Sequence, residues 1–222
     1  MTEEVDIYKA ENHQEASSCL SNLIANDISS NKSEPYSIGL SGGNTPKLAY
    51  SMMLNDIKDF SNIALWTIDE RWLPITDENS NQKMINSSFK STNANILEIP
   101  FSDEDPFKDA ETYSKLLEDN INKFNTGIIV LGDHAHIATL FPLTAALNEK
   151  TKLIVANEVN IVSKWRITAS YKLLSKISKL YLLATGENKR EILKKAINGS
   201  ELPVNKLFEL RENTVIITDQ DI

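Results

Sequence analysis

The chain has one cysteine, Cys19, so no disulfide can form within it. Seven glycines and seven prolines in 222 residues exclude collagen-like and proline-rich linker character. No apolar run exceeds strand length, which excludes a membrane-spanning helix, and the opening MTEEVDIYKAEN lacks an apolar signal region. Positive charge is also short. Lys and Arg number 23 against 31 Asp and Glu, a net −8, so no general field draws a nucleic-acid backbone. A local basic pocket for a small anion remains compatible with that balance. These absences predict a soluble, cytoplasmic protein with no nucleic-acid, membrane or obligate protein partner. Cys19 lies in an expected amphipathic helix over 15–28 and reads as a buried, inert thiol.

What is present is an alternation of short apolar runs with helical periodicity, the pattern of an α/β fold. Strands are predicted at 5–8, 36–40, 63–68, 96–99, 127–131, 153–156, 165–168, 180–184 and 215–217. Helices are predicted at 15–28, 47–54, 79–89, 106–124 and from 186 to about 197. No linker interrupts the series, so residues 1–222 read as one domain, with a small excursion between Phe141 and Lys164. The polar clusters share a position: each follows an apolar strand, where open α/β sheets bind ligands.

Ser41-Gly42-Gly43-Asn44-Thr45-Pro46 is the first cluster, a strand-to-helix turn. Its glycines permit close backbone approach, Asn44 or Thr45 suits a helix cap, and free amides at a helix start hold phosphate. An ordinary glycine turn before a capped helix fits the same residues. Neither a Walker loop nor a dinucleotide fingerprint is present. Arg166 in a short strand and Lys189 early in a helix could complete an anion site. A lysine there opposes the helix dipole, a conflict that a bound phosphate relieves.

Asp69-Glu70-Arg71 is the second cluster. Asp69 is the residue expected in the cleft, Glu70 the one expected to point away, and Arg71 carries a fork suited to phosphate or carboxylate oxygens. The third cluster is Asp133-His134-Ala135-His136 after the strand at 127–131. Histidine titrates near neutrality, so His136 is the candidate general base, with a hydrogen-bonded loop histidine as the alternative. Asp133, His134 and His136 also resemble half a metal site, but adjacent loop residues seldom face one ion, so no metal is expected. His13 reads as a surface cap, and Trp66, Trp72 and Trp165 as core residues.

These clusters resemble the 6-phosphogluconolactonase family of the sugar-phosphate lactonase/isomerase superfamily. The turn at 41–46 is similar to that family's Ser-Gly-Gly-x-Thr-Pro phosphate loop, and Asp69-Glu70-Arg71 and Ser80-Asn81 match its Asp-Glu-Arg and the Ser-Asn that follows. His136-Ile137-Ala138-Thr139-Leu140-Phe141-Pro142 resembles His-Thr-Ala-Ser-Leu-Phe-Pro, and Arg166-Ile167-Thr168 and Gly186-x-x-Lys189 resemble two later signatures. The resemblance implies an open, mostly parallel, Rossmann-like sheet with helices on both faces. It implies hydrolysis of a phosphorylated sugar lactone, 6-phospho-D-glucono-1,5-lactone, without metal or organic cofactor. It assigns catalysis to His136, Asp69 and Arg71, and substrate binding to Gly42, Gly43, Asn44, Thr45, Arg166 and Lys189. The chain departs from the family's Gly-x-Gly-x-Asp-Gly-His, with Val130, His134 and Ala135 in place of Gly, Asp and Gly. Asp133 or His134 would then have to orient the base. A deaminase-like enzyme and a non-catalytic sugar-phosphate-binding homologue are the alternatives.

Overall fold

The computed structural model describes residues 5–31, 35–132, 135–199 and 201–222. In chain order the elements are β1 (Asp6–Lys9), α1 (His13–Ser30), β2 (Tyr36–Leu40), α2 (Lys47–Asp56), β3 (Ile63–Thr67), β4 (Asp69–Arg71), α3 (Asn81–Phe89), β5 (Asn95–Leu97) and α4 (Pro106–Asn120). There follow β6 (Thr126–Val130), β7 (Ile154–Ile161), β8 (Ser163–Ala169), α5 (Tyr171–Lys176), β9 (Lys179–Ala184), α6 (Arg190–Ile197), α7 (Pro203–Leu210) and β10 (Thr214–Thr218). Seven strands form a parallel sheet in the order β1-β10-β9-β6-β2-β3-β5. The other three form an antiparallel sheet, β4-β8-β7.

Strand periodicity divides the core in two. Along β6, β9 and β10, Ile129, Leu182 and Ile216 join one apolar cluster, while Ile128, Leu183 and Ile217 join the other. The first cluster is closed by α4, α5, α6 and α7, the second by α1, α2 and α3. Helices therefore cover both faces, which is why these strands are apolar without alternation. Each fully buried Leu or Ile contributes about 1.5–3 kcal/mol of transfer free energy. No helix among the described residues is long and apolar enough to cross a membrane.

The strands of the large sheet lie where the hydrophobic runs predict them. The differences concern polar segments. Asp69–Arg71 is itself a strand, and the excursion after Phe141 contains β7, which extends to Ile161 and pairs with β8. Helices α5 and α7 were not expected. Ser170 caps α5 by accepting from the Leu173 amide, and α7 opens on Pro203. Cys19 is half-buried rather than buried, with its thiol pKa raised by burial and by Glu15. Trp66 is core, whereas Trp72 and Trp165 are only half-buried and pack edge-on or tilted against Phe101 and Phe107.

Candidate active site

β2 ends in the glycine turn. The Ser41 amide donates to the Ile128 carbonyl of the neighbouring strand (3.1 Å), and the buried Tyr50 hydroxyl of α2 donates to the Ser41 carbonyl (2.7 Å). Gly43 has φ of 90°, a conformation that favours glycine. At Gly42 a Cβ would sit 1.9 Å from Asn81 Oδ1, so the α3 side chain occupies the space a larger residue would need. The expectation of an Asn44 or Thr45 cap is corrected. Pro46 is the residue at the helix boundary, in αR geometry and without a side-chain cap, and Asn44 Oδ1 accepts from Lys47 Nζ (2.9 Å) instead. Among the described residues, no cap side chain bonds the amides at the start of α2, the condition an anion-binding helix start requires.

The strand β4 explains the Asp-Glu-Arg run. Successive side chains alternate across a strand, so Asp69 and Arg71 share one face and Glu70 takes the other. Glu70 is buried and accepts from the Asn81 amide (2.7 Å), the Gln82 amide (2.6 Å), Ser80 Oγ (2.8 Å) and its neighbour Arg71 N (2.6 Å). Burial raises its carboxyl pKa against the lowering pull of these four donors, and the side chain holds the N-terminus of α3, where the helix dipole favours a carboxylate. Asp69 and Arg71 lie opposite Thr168 and Arg166 of β8. Burial pushes the Asp69 carboxyl pKa up, against the opposing influence of Arg71, the Thr139 hydrogen bond and Arg166. Burial, then the like charge of Arg71, pulls Arg166 down. Arg166 is buried, Nη2 donates to the Ile161 carbonyl (2.5 Å), and Nε is buried without a hydrogen-bond partner. The two arginines are thus paired in register across β4 and β8, and Arg71 Nη1 donates to the Asn79 carbonyl (2.7 Å).

His136 stands on the loop after β6. Its ring stacks on Phe141, centroids 3.8 Å apart at 18°. The other side is against the backbone: a Cβ on Gly132 would fall 1.9 Å from the ring's Cε1. The Gly132 amide donates to the His136 carbonyl (2.9 Å), and Leu131 bridges to Ile137, which closes the loop. Ala135, which stands where the resemblance expects glycine, has φ of 55°, so it holds the left-handed conformation despite its Cβ. The cost for a non-glycine residue is about 1–2 kcal/mol. Asp133 and His134 lie outside the described residues.

Thr139 joins this loop to the small sheet. Its hydroxyl donates to Asp69 Oδ2 (3.0 Å) and its amide to Thr168 Oγ1 (3.1 Å). Asn81 Nδ2 donates to the Asp69 carbonyl (2.7 Å), which connects the glycine turn to β4. The structure therefore brings Gly42, Asp69, Arg71, Arg166 and the His136 loop into one contiguous set. Lys189 is buried and reaches the same end of the sheet through β9, the neighbour of β6. It belongs to a 3₁₀ turn (Glu187–Lys189) entered through Gly186 at φ of 100°. His13 is not the cap of α1. Asn12 is, and His13 Nδ1 instead meets Thr185 Oγ1 at 2.8 Å.

The residues alone did not mark the Asn81 side chain, Thr139 or Thr168 as site-building groups. Polar residues inside otherwise apolar runs were the available signal.

A family model described as glucosamine-6-phosphate isomerases/6-phosphogluconolactonase matches residues 10–216. The chain is 32% identical over 180 residues to a 6-phosphogluconolactonase of Chlamydia pneumoniae, covering 79% of this chain and 69% of that protein. It is 30% identical over 167 residues to a 6-phosphogluconolactonase of Synechocystis, covering 70% and 69%. The solved 6-phosphogluconolactonase of Shewanella baltica superposes with a TM-score of 0.88 at 20% identity, covering 98% of both chains. A monomeric glucosamine-6-phosphate deaminase superposes at 0.84 and 18% identity, covering 97% of this chain and 98% of that one, so the fold alone is shared by both chemistries. By the family match across nearly its whole length, the chain belongs to the 6-phosphogluconolactonase family within the glucosamine-6-phosphate isomerase superfamily.

Proposed function

We propose that this protein hydrolyses 6-phospho-D-glucono-1,5-lactone to 6-phosphogluconate, with His136 activating water. The observation that carries this reading is the Thr139 connection, which sets the loop of a half-buried histidine beside Asp69, Arg71 and Arg166. Relatives bearing the lactonase name and the run His136–Pro142 favour lactone hydrolysis over amino-sugar deamination.

In this mechanism the phosphate docks over Gly42, Gly43, Asn44 and Thr45 at the uncapped start of α2, and Arg166 and Lys189 neutralise it. His136 takes a proton from water as the water oxygen attacks the ring carbonyl. Charge gathers on the carbonyl oxygen, and Arg71 is the cation beside it. As the C–O bond to the ring oxygen breaks, His136 returns the proton to that oxygen. The remote phosphate supplies binding energy that orients the reacting carbonyl. Asp69 sets the charge around the two arginines. Ala135 adopts the left-handed conformation without being glycine, which supports turnover over a purely binding role.

The test is the rate of lactone hydrolysis, corrected for the spontaneous reaction, with glucosamine 6-phosphate as a parallel substrate. His136→Gln is expected to lose about 10²–10⁴ in catalysed rate while binding 6-phosphogluconate normally. Wild-type turnover by that variant would remove His136 as the base. Turnover of the amino sugar alone would replace the lactonase reading.

A further inference from the structure

Asn157 is a polar residue in the run Ile154–Ile161 of β7 and is 1% exposed. Nothing in the chemistry above uses it. Its Nδ2 donates to the Thr139 carbonyl (2.8 Å) and to Thr144 Oγ1 (3.1 Å), while its Oδ1 accepts from the Ala146 amide (3.4 Å). A carbonyl only accepts and an amide only donates, so both ends of the side chain are assigned by their partners. One buried amide therefore grips both ends of the segment Thr139–Thr144. Thr144 carries the grip inward, with Oγ1 donating to the Phe141 carbonyl (2.8 Å). Phe141 is the ring on which His136 is stacked. The gripped segment also contains Leu143, fully exposed at φ of 67°, a conformation that persists in a leucine only when its surroundings over-determine it.

We propose that Asn157 is a positioning residue for hydrolysis, acting through Thr144 and Phe141 to hold the His136 ring at the attack geometry. The proposal rests on the assignment of His136 as base. It separates two roles along one face of the small sheet: Arg166, opposite Asn157 in register, faces the phosphate, and Asn157 governs the base. Its loss consequently reads in kcat and leaves phosphate affinity alone.

Thr144→Val removes the hydroxyl relay at a half-buried position with little change of shape, and Thr144→Ser keeps it. Asn157→Leu removes the grip itself. Thr144→Val and Asn157→Leu are each expected to lower kcat about tenfold or more, with KM and the Kd for 6-phosphogluconate within about twofold of wild type. Thr144→Ser is expected to rescue the rate. Combined with His136→Gln, either lesion is expected to add nothing to the loss, whereas a merely structural lesion would lower affinity and thermal stability in both backgrounds. Should Asn157→Leu fail to fold, the Val and Ser variants at Thr144 decide the matter. Wild-type kcat in folded Thr144→Val, a rise in KM equal to the fall in kcat, or an undiminished effect on the His136→Gln background each overturns the proposal. If His136→Gln loses turnover while these variants keep it, only the role of Asn157 falls. If His136→Gln keeps turnover, the assignment of the base falls and this proposal with it.

Discussion

In the seven-stranded sheet, Ile38, Leu65, Ile128, Leu182 and Ile216 are fully buried and the strands have helices on both sides. In the three-stranded sheet, a much smaller surface carries Asp69, Arg71, Asn157, Arg166 and Thr168. The first is held by apolar burial on both faces; the second adds Ile154, Val155, Ile167 and Ala169 to one of those cores and carries directed bonds to loops that emerge from the first. A buried charge needs polar partners, and the antiparallel ladder supplies them: Glu70 and Arg166 are both buried there and both hydrogen-bonded to backbone groups. The large sheet determines where the strand ends are, and the small one determines what chemistry stands there.

Substitutions at Trp66, Arg166 and Asp69 probe that division. The largest effect on folding is expected from Trp66→Ala in β3. Trp66 is fully buried, packs edge-on against Phe124 at 5.4 Å and fills the space over Gly39, where a Cβ would come within 2.5 Å of its ring. Denaturant unfolding is expected to show a loss of about 3–5 kcal/mol, with the specific activity of the folded fraction nearly unchanged. If activity per folded molecule collapsed instead, the two sheets would not be separable.

Arg166→Ala in β8 should behave in the opposite way. Losing a charged contact to a partly buried phosphate is expected to weaken 6-phosphogluconate by about 1.5–3 kcal/mol, with little effect on unphosphorylated gluconolactone. Titration calorimetry with both ligands checks this, and Lys189→Ala is expected to follow the same pattern. Equal losses for the two ligands would remove both side chains from the phosphate site.

The smallest effect concerns Asp69. Its pKa is raised in the folded chain, so the fold binds that proton more tightly than the unfolded chain does. That contribution favours folding in acid and is lost as pH rises through the folded value. Asp69→Asn is therefore expected to melt slightly above wild type at neutral pH and level with it in acid, while turnover falls. A variant that melts lower at neutral pH would mean that the attraction to Arg71 and Arg166 outweighs the burial of Asp69.

The large sheet was legible because its signal is repetitive: its central strands β2, β3, β6, β9 and β10 are mostly apolar runs of five or six residues, bounded by polar segments. The three residues of β4 gave no such signal. Asp69, Glu70 and Arg71 become a strand only because β8, almost a hundred residues later, pairs with them. The opposite destinations of Asp69 and Glu70 follow from strand alternation once that pairing is known. The helix cap expected at Asn44 or Thr45 failed because Pro46 took the boundary position. Asn157 was hidden because its partners, Thr139 and Thr144, lie in a loop whose path depends on tertiary contacts. Ala135, expected from its Cβ to resist positive φ, holds φ of 55° all the same.

The imidazole of His136 lies between the backbone at Gly132 and the ring of Phe141. A flat ring confined on both faces has little freedom to rotate about its Cα–Cβ and Cβ–Cγ bonds. The entropy of ordering that side chain is therefore lost when the protein folds and is not lost again at each turnover. If His136 is the base, as proposed, heat should reveal this as an early decline in rate: once Phe141 loosens, the imidazole regains its rotamers while the large sheet, and with it the circular dichroism signal, is still intact.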